Sequence, residues 1–202
     1  MKYLSRILVD KKTAICCHLN DSYAWHKAVW EAFPNRGDQA RDFLIRVDNK
    51  GRSYQVLVLS RERPTLPGWG MWETKEVCPH FLEYDLYRFE LRANPTVKRV
   101  VRDDSGKRKK NGQRTAIYNR EALGNWLKRK AQASGFEVVK FDVDPPLSQP
   151  FHRKGKPGKH VRVDFRGLLR VVNHSQFKSA FANGIGPAKA FGFGMLVLQP
   201  LK

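Results

Sequence analysis

One helical turn separates a phenol from an imidazole in Ser22-Tyr23-Ala24-Trp25-His26-Lys27-Ala28-Val29-Trp30-Glu31-Ala32-Phe33. Side chains three apart share a helix face, so Tyr23 and His26 can flank a single phosphodiester. An imidazole titrates near pH 6.5, about where proton transfer at neutral pH is most effective. The tyrosine hydroxyl can orient a nucleophile or a phosphate, and a nearby lysine or arginine can neutralise developing negative charge. These groups suffice for metal-free RNA cleavage, in which a ribose 2′-hydroxyl attacks the adjacent phosphorus. Taken alone, the pair is weak evidence, and a histidine packed for structural reasons is the commoner case.

The second informative stretch is Gly184-Ile185-Gly186-Pro187-Ala188-Lys189-Ala190-Phe191-Gly192-Phe193-Gly194. Glycines allow positive φ and close backbone approach, and Lys189 among exposed amides favours an anion such as phosphate. It is no P-loop, because Lys189 is followed by Ala190 and an apolar run that predicts a last strand over Phe191 to Leu198. It is no dinucleotide fingerprint either, since no room for a βαβ unit follows. The bland reading is a flexible turn between a helix and that strand.

Charge narrows the partner. The 202 residues carry 38 Lys and Arg against 19 Asp and Glu, a formal charge of +19, which favours a polyanion by counterion release. The basic residues are spread along the chain with no long apolar run, which favours nucleic acid over a membrane. Two clusters are dense. Lys98, Arg99, Arg102, Lys107, Arg108, Lys109, Lys110 and Arg114 occupy a segment of low hydrophobicity that reads as a mobile loop. The second, His152-Arg153-Lys154-Gly155-Lys156-Pro157-Gly158-Lys159-His160, has the glycines and proline of a hairpin tip, a shape that suits the groove of an RNA stem. Cys16, Cys17 and Cys78 suggest neither a disulfide framework nor a zinc site, so a reducing cytoplasm and no cofactor are expected.

These side chains must be placed by elements that periodicity predicts. They are strand Tyr3 to Val9, helix Ser22 to Phe33 capped by Asn20, Asp21 or Ser22, strands Phe43 to Val47 and Tyr54 to Leu59, a Pro/Gly/Trp loop, and strand Leu86 to Ala93. After the basic linker come helix Asn119 to Ser134, strands Phe136 to Val143, Leu147 to Arg153 and Val161 to Val172, helix Ser175 to Asn183 and the last strand. This is an α+β chain of two tandem ferredoxin-like βαββαβ domains, 1–94 and 95–202. The first is expected to be less regular, with at best a short helix in Thr65 to Met71.

The Tyr23/His26 pair, Arg92-Ala93-Asn94-Pro95 after the middle strand, the basic hairpin and the glycine loop occur together and in order. In this the chain resembles the CRISPR repeat endoribonucleases of the type I-E Cascade complex across nearly its whole length. The resemblance implies recognition of the repeat stem-loop of precursor crRNA. It also implies metal-independent cleavage at the 3′ side of the stem, giving a 2′,3′-cyclic phosphate and a 5′-hydroxyl, and retention of the product among other Cascade subunits. Carried over residue by residue, it makes His26 the proton-transfer group and Tyr23 the positioning group. A hairpin cation stabilises the transition state, with Lys154 preferred among Arg153, Lys154 and Lys156. Expected RNA contacts are Arg92, Lys107, Lys109, Arg153, Lys156, Lys159, Gly184, Gly186, Lys189, Gly192 and Gly194. A catalytically silent RNA-binding subunit of the same superfamily would share everything except the Tyr23/His26 face.

Overall fold

The computed structural model describes residues 2–34, 42–100, 102, 105–107, 113–153 and 156–201. A four-stranded and a five-stranded antiparallel layer account for most of them. In the first, β1 (Tyr3–Asp10), β2 (Phe43–Asn49), β3 (Ser53–Ser60) and β4 (Met71–Glu76) take the order β2-β3-β1-β4. A short α1 (Lys11–Cys16) and then α2 (Ser22–Trp30) follow β1. Trp25, Ala28 and Val29 of α2, with Ala32 and Phe33 just beyond it, bury the apolar stripe against Ile7, Val9, Phe43, Ile45, Val56 and Val58.

The second layer is built from β5 (Leu86–Ala93), β8 (Phe136–Val143), β10 (Lys156–Val171) and β11 (Leu196–Pro200), in the order β11-β5-β10-β8. Helices α3 (Arg120–Gln132) and α4 (His174–Asn183) cover one face of it, with Leu123, Trp126, Leu127 and Phe177 in its core. Trp126 stacks on Phe165 with ring centroids 6.0 Å apart. Between β5 and α3, the pair β6 (Thr96–Arg99) and β7 (Gln113–Ala116) forms a two-stranded ribbon at the ends of the segment expected to be a loop. Among the described residues the strand β9 (Leu147–Arg153) pairs only with β10, at the edge of this layer.

Both layers have the ferredoxin-like strand order, but the expected division at residue 94 misplaces one strand. Leu86–Ala93 pairs with β10 and β11, so it opens the second layer instead of closing the first. The fourth strand of the first layer is Met71–Glu76, which pairs with β1. Its exposed, charged alternation, Met-Trp-Glu-Thr-Lys-Glu, hides a strand that covers little core. No helix forms between β3 and β4, where Pro64, Pro67, Gly68 and Gly70 interrupt the chain. Trp69 fills part of that space, packing edge-on to Trp25 at 6.2 Å and to Trp72 at 5.0 Å.

Period-2 alternation decides how the layers meet. Phe43, Ile45 and Val47 of β2 face the first core, which leaves Leu44, Arg46 and Asp48 on the opposite face. On β5, Tyr87, Phe89, Leu91 and Ala93 face the second core and leave Glu90 and Arg92 outward. The two outward sets meet. Leu44 and Leu59 pack with Phe181 and Met195, and beside them the charged residues interlock.

Candidate active site and nucleic-acid interface

Asp21 starts the site helix. Its Oδ1 accepts the backbone N–H groups of Tyr23 and Ala24, each at 2.8 Å, satisfying amides that a helix N-terminus leaves unpaired. Tyr23 and His26 then project one turn apart, both half-buried. The Tyr23 ring stacks on Phe191 at 6.2 Å, while His26 lies against Phe43 at 5.4 Å and Trp30 at 5.7 Å. The Nδ1 atom of His26 is enclosed by protein.

Phe191 ties this helix to the basic hairpin. It lies 4.4 Å from Phe151 and 4.7 Å from His160, and its carbonyl accepts the Gln149 side-chain amide at 3.1 Å. On the other side of β9, the His152 backbone N–H donates to Asp21 Oδ2 at 2.8 Å. The turn end of the hairpin, at Phe151 and His152, thus sits against the N-terminus of α2. A cleft of about 500 Å³ opens beside this junction, lined among others by Asp21, Trp25, Tyr54, Gln149 and Arg162. Neither Tyr23 nor His26 lines it.

Lys156 and Lys159 lie on the hairpin strand β10 with exposed side chains, in position to meet a polyanion. Arg153 ends β9, opposite Lys156. Lys107 is exposed on the linker. Lys154 and Lys109 lie outside the described residues.

Arg92 departs from the expectation of an RNA contact, being only 5% exposed. Its Nε donates to Asp164 Oδ1 at 2.8 Å, Nη2 to Asp48 Oδ1 at 2.6 Å and Nη1 to the Val47 carbonyl at 2.6 Å. Arg46 binds Asp48 at 2.9 Å and Glu90 at 2.7 Å, and Arg162 binds Asp164. Three arginines therefore meet three carboxylates between the layers. Burial would raise the pKa of Asp48 and Asp164, but the charges and hydrogen bonds of Arg46 and Arg92, and of Arg92 and Arg162, hold both below the usual carboxylate range. Asn94, two residues on, accepts the Val161 N–H at 3.3 Å and donates to His160 Nδ1 at 3.1 Å. An amide NH₂ only donates, so His160 is the neutral tautomer with its proton on Nε2. Burial lowers its pKa, in keeping with that form. The Arg-x-Asn-Pro segment is thus a brace that joins the layers and fixes the start of the hairpin.

The glycine loop also turns its amides inward. Gly184, Gly186, Gly192 and Gly194 all have positive φ, and Ala188 adopts the left-handed conformation ahead of a short 3-10 turn, Lys189–Phe191. The Ile185 N–H donates to the Gly194 carbonyl, and the Gly194 N–H to the Arg92 carbonyl, both at 2.8 Å. Gly194 tolerates no side chain, since a Cβ there would stand 2.7 Å from the Ile185 oxygen. Lys189 is half-buried within the loop. The expected phosphate cradle is, at these two amides, a packed junction whose most useful product is the position of Phe191.

Sequence reading missed Phe151, His160 and Phe191, and saw Asp21 only as one of three possible caps. A cap leaves a local signal, but a bond from residue 21 to residue 152 leaves none.

Comparison with known proteins agrees with this architecture. Residues 2–200 match the family described as CRISPR associated protein. The CRISPR system Cascade subunit CasE of Escherichia coli (strain K12) is 34% identical over 209 residues, covering 98% of this chain and all of that protein. The CRISPR-associated endoribonuclease Cse3 of Thermus thermophilus is 25% identical over 202 residues, covering 90% and 92%. The crystal structure of Cas6e from Escherichia coli K-12 superposes with a TM-score of 0.78 at 29% identity, covering 98% of this chain and all of that one. By sequence and by fold, the chain belongs to the CRISPR-associated protein family in which CasE and Cse3 stand.

Proposed function

We propose that this chain is a metal-independent endoribonuclease that binds the stem-loop of a CRISPR repeat in precursor crRNA and cleaves at the 3′ side of the stem. Its relatives are named as an endoribonuclease and as a Cascade subunit, and the net charge of +19 suits an RNA partner. The observation that carries the reading is the meeting of the Tyr23/His26 helix with the basic hairpin through Asp21 and Phe191.

In the reaction, the 2′-oxygen bonds to phosphorus while the bond from phosphorus to the 5′-oxygen breaks. One proton leaves the 2′-hydroxyl and one arrives on the departing 5′-oxygen. His26 serves one of these transfers. Tyr23, steadied by Phe191, orients the ribose and phosphate through its hydroxyl. Lys154 neutralises the phosphorane. The products are a 2′,3′-cyclic phosphate and a 5′-hydroxyl, and the crRNA stays bound to the protein in a cytoplasmic Cascade assembly. Among the described residues, no helix is long and apolar enough to cross a membrane.

Cleavage of a labelled repeat stem-loop in EDTA tests this. A positioned proton-transfer group contributes about 10²- to 10⁴-fold, so His26→Ala should slow cleavage by that factor while leaving the Kd close to wild type. A 2′-deoxyribose at the scissile position should block the reaction. Tight binding without cleavage by the wild type would instead make the chain a silent RNA-holding subunit.

A further inference from the structure

The Asp21 carboxylate does two jobs with two oxygens. Oδ1 caps α2, and Oδ2 accepts the backbone N–H of His152 from a strand 131 residues away. The imidazole of His152 faces the same oxygen, with Nδ1 at 3.6 Å, but is 71% exposed, whereas Asp21 is 16% exposed. The backbone bond is therefore the ordered part of the contact. Among the described residues β9 has no ladder partner on its outer side, and the amide of His152 there is met by Asp21.

Capping alone does not require aspartate. Serine and asparagine cap helices about equally well through one oxygen. What neither supplies is a second acceptor that binds the hairpin with a charge-assisted bond. His152 is paired with Pro157, and the next register pair joins Arg153 to Lys156, so basic residues of the hairpin stand one position from the fixed amide. On the opposite side, Phe151 packs on Phe191, which also meets Tyr23. The hairpin is thus gripped at consecutive residues near its turn, and both grips lead to the N-terminal turn of the helix bearing Tyr23 and His26.

We propose that Asp21 is a positioning residue that sets the basic β9/β10 hairpin in register with the Tyr23/His26 face. It acts through the His152 amide and touches no RNA itself. The proposal rests on the catalytic reading given above. It places a requirement for aspartate at a position where helix stability would accept serine or asparagine.

Asp21→Asn and Asp21→Ser test it against capping alone. Both keep an acceptor for the helix amides, so the melting temperature should stay within a few degrees of wild type. Affinity for the repeat stem-loop, dominated by phosphate contacts, should stay within about threefold. The single-turnover rate at saturating RNA should fall about 10- to 100-fold, because a misplacement of about 1 Å is enough to do so. Hydrogen exchange at the His152 amide should quicken in both variants. Wild-type rates in both variants, or a rate loss that disappears once RNA is saturating and the protein is well below its melting temperature, would overturn the proposal. His26→Ala in the same assay keeps the two failures apart. If it cleaves normally the catalytic assignment falls, while the Asp21 variants still report on hairpin register through their own rates and exchange.

Discussion

Arg92→Met isolates the brace between the layers. The substitution keeps an unbranched chain of similar reach but removes the guanidinium from Asp48, Asp164 and the Val47 carbonyl at once. Both carboxylates are nearly enclosed, at 13% and 12% exposure, so water cannot replace the lost partner. Breaking a buried ion pair from one side costs about 3–5 kcal/mol. Arg46 still binds Asp48 and Arg162 still binds Asp164, which places the loss near the lower end, about 3 kcal/mol. For a chain of this size, that is a drop of about 6–12 °C in melting temperature. Arg6→Met is the control, since its pair with Glu73 is half exposed, at 51% and 57%, and should contribute less than about 1 kcal/mol. The pH dependence has a definite sign. Asp48 and Asp164 have lowered pKa values in the folded state, so their contribution is present above about pH 4 and is lost as pH falls through the folded values. Without Arg92, burial meets less opposition, the folded pKa values rise, and acid unfolding moves to higher pH. Adding Asp48→Asn and Asp164→Asn to Arg92→Met should recover part of the loss by removing the stranded charges. RNA affinity of the folded variant should stay close to wild type. A melting shift no larger than that of Arg6→Met, with an unmoved acid midpoint, would refute the account.

Two further outcomes follow from neighbouring residues. The pKa of His160 is lowered by burial, so the unfolded chain takes up a proton below about pH 6.5 that the folded chain resists, and stability should fall as pH drops through that range. His160→Gln keeps an acceptor for Asn94 and should flatten the slope of urea-unfolding free energy between pH 7 and 5; an unchanged slope would mean that other groups set it. Gly192→Ala and Gly194→Ala both place a side chain at positive φ, which costs about 1–2 kcal/mol. Only Gly194→Ala also drives a Cβ to 2.7 Å from the Ile185 oxygen, against 3.9 Å to the nearest atom at Gly192, so it should be clearly the less stable in urea. Equal losses would show that close approach is not what demands glycine there.

The strands and helices that bury apolar stripes were legible because burial imposes a period. Trp25, Ala28, Val29, Ala32 and Phe33 share a helical half, and Tyr87, Phe89, Leu91 and Ala93 alternate. The strand at Met71–Glu76 escaped because it covers little core and its pattern is one of charge. Its omission moved Leu86–Ala93 into the wrong sheet, since a periodic pattern announces a strand without naming its partners. The helix that carries Tyr23 and His26 was legible, and their shared face follows from local geometry alone. Arg92 was misjudged for the opposite reason. In a chain with so large a positive excess an arginine suggests phosphate, and nothing local shows that Asp48 and Asp164, 44 and 72 residues away, neutralise it.

That neutralised cluster bears on how the chemistry is assembled. The proton-transfer helix belongs to the first layer and the basic hairpin to the second, so the proposed site exists only while the layers keep one relative placement. Three kinds of contact act together on that placement: the apolar group of Leu44, Leu59, Phe181 and Met195, the arginine-carboxylate brace, and the glycine loop that delivers Phe191 to Tyr23. The first is non-directional and tolerates sliding, because dispersion and apolar burial depend little on orientation. The second is directional, since a planar guanidinium binding two carboxylates and a carbonyl admits a narrow range of angles. Buried charge so placed adds little net stability over an apolar contact, but it selects one geometry. A site that needs an imidazole from one layer and a cation from the other has a use for that selection, and RNA affinity, spread over many exposed basic residues, does not.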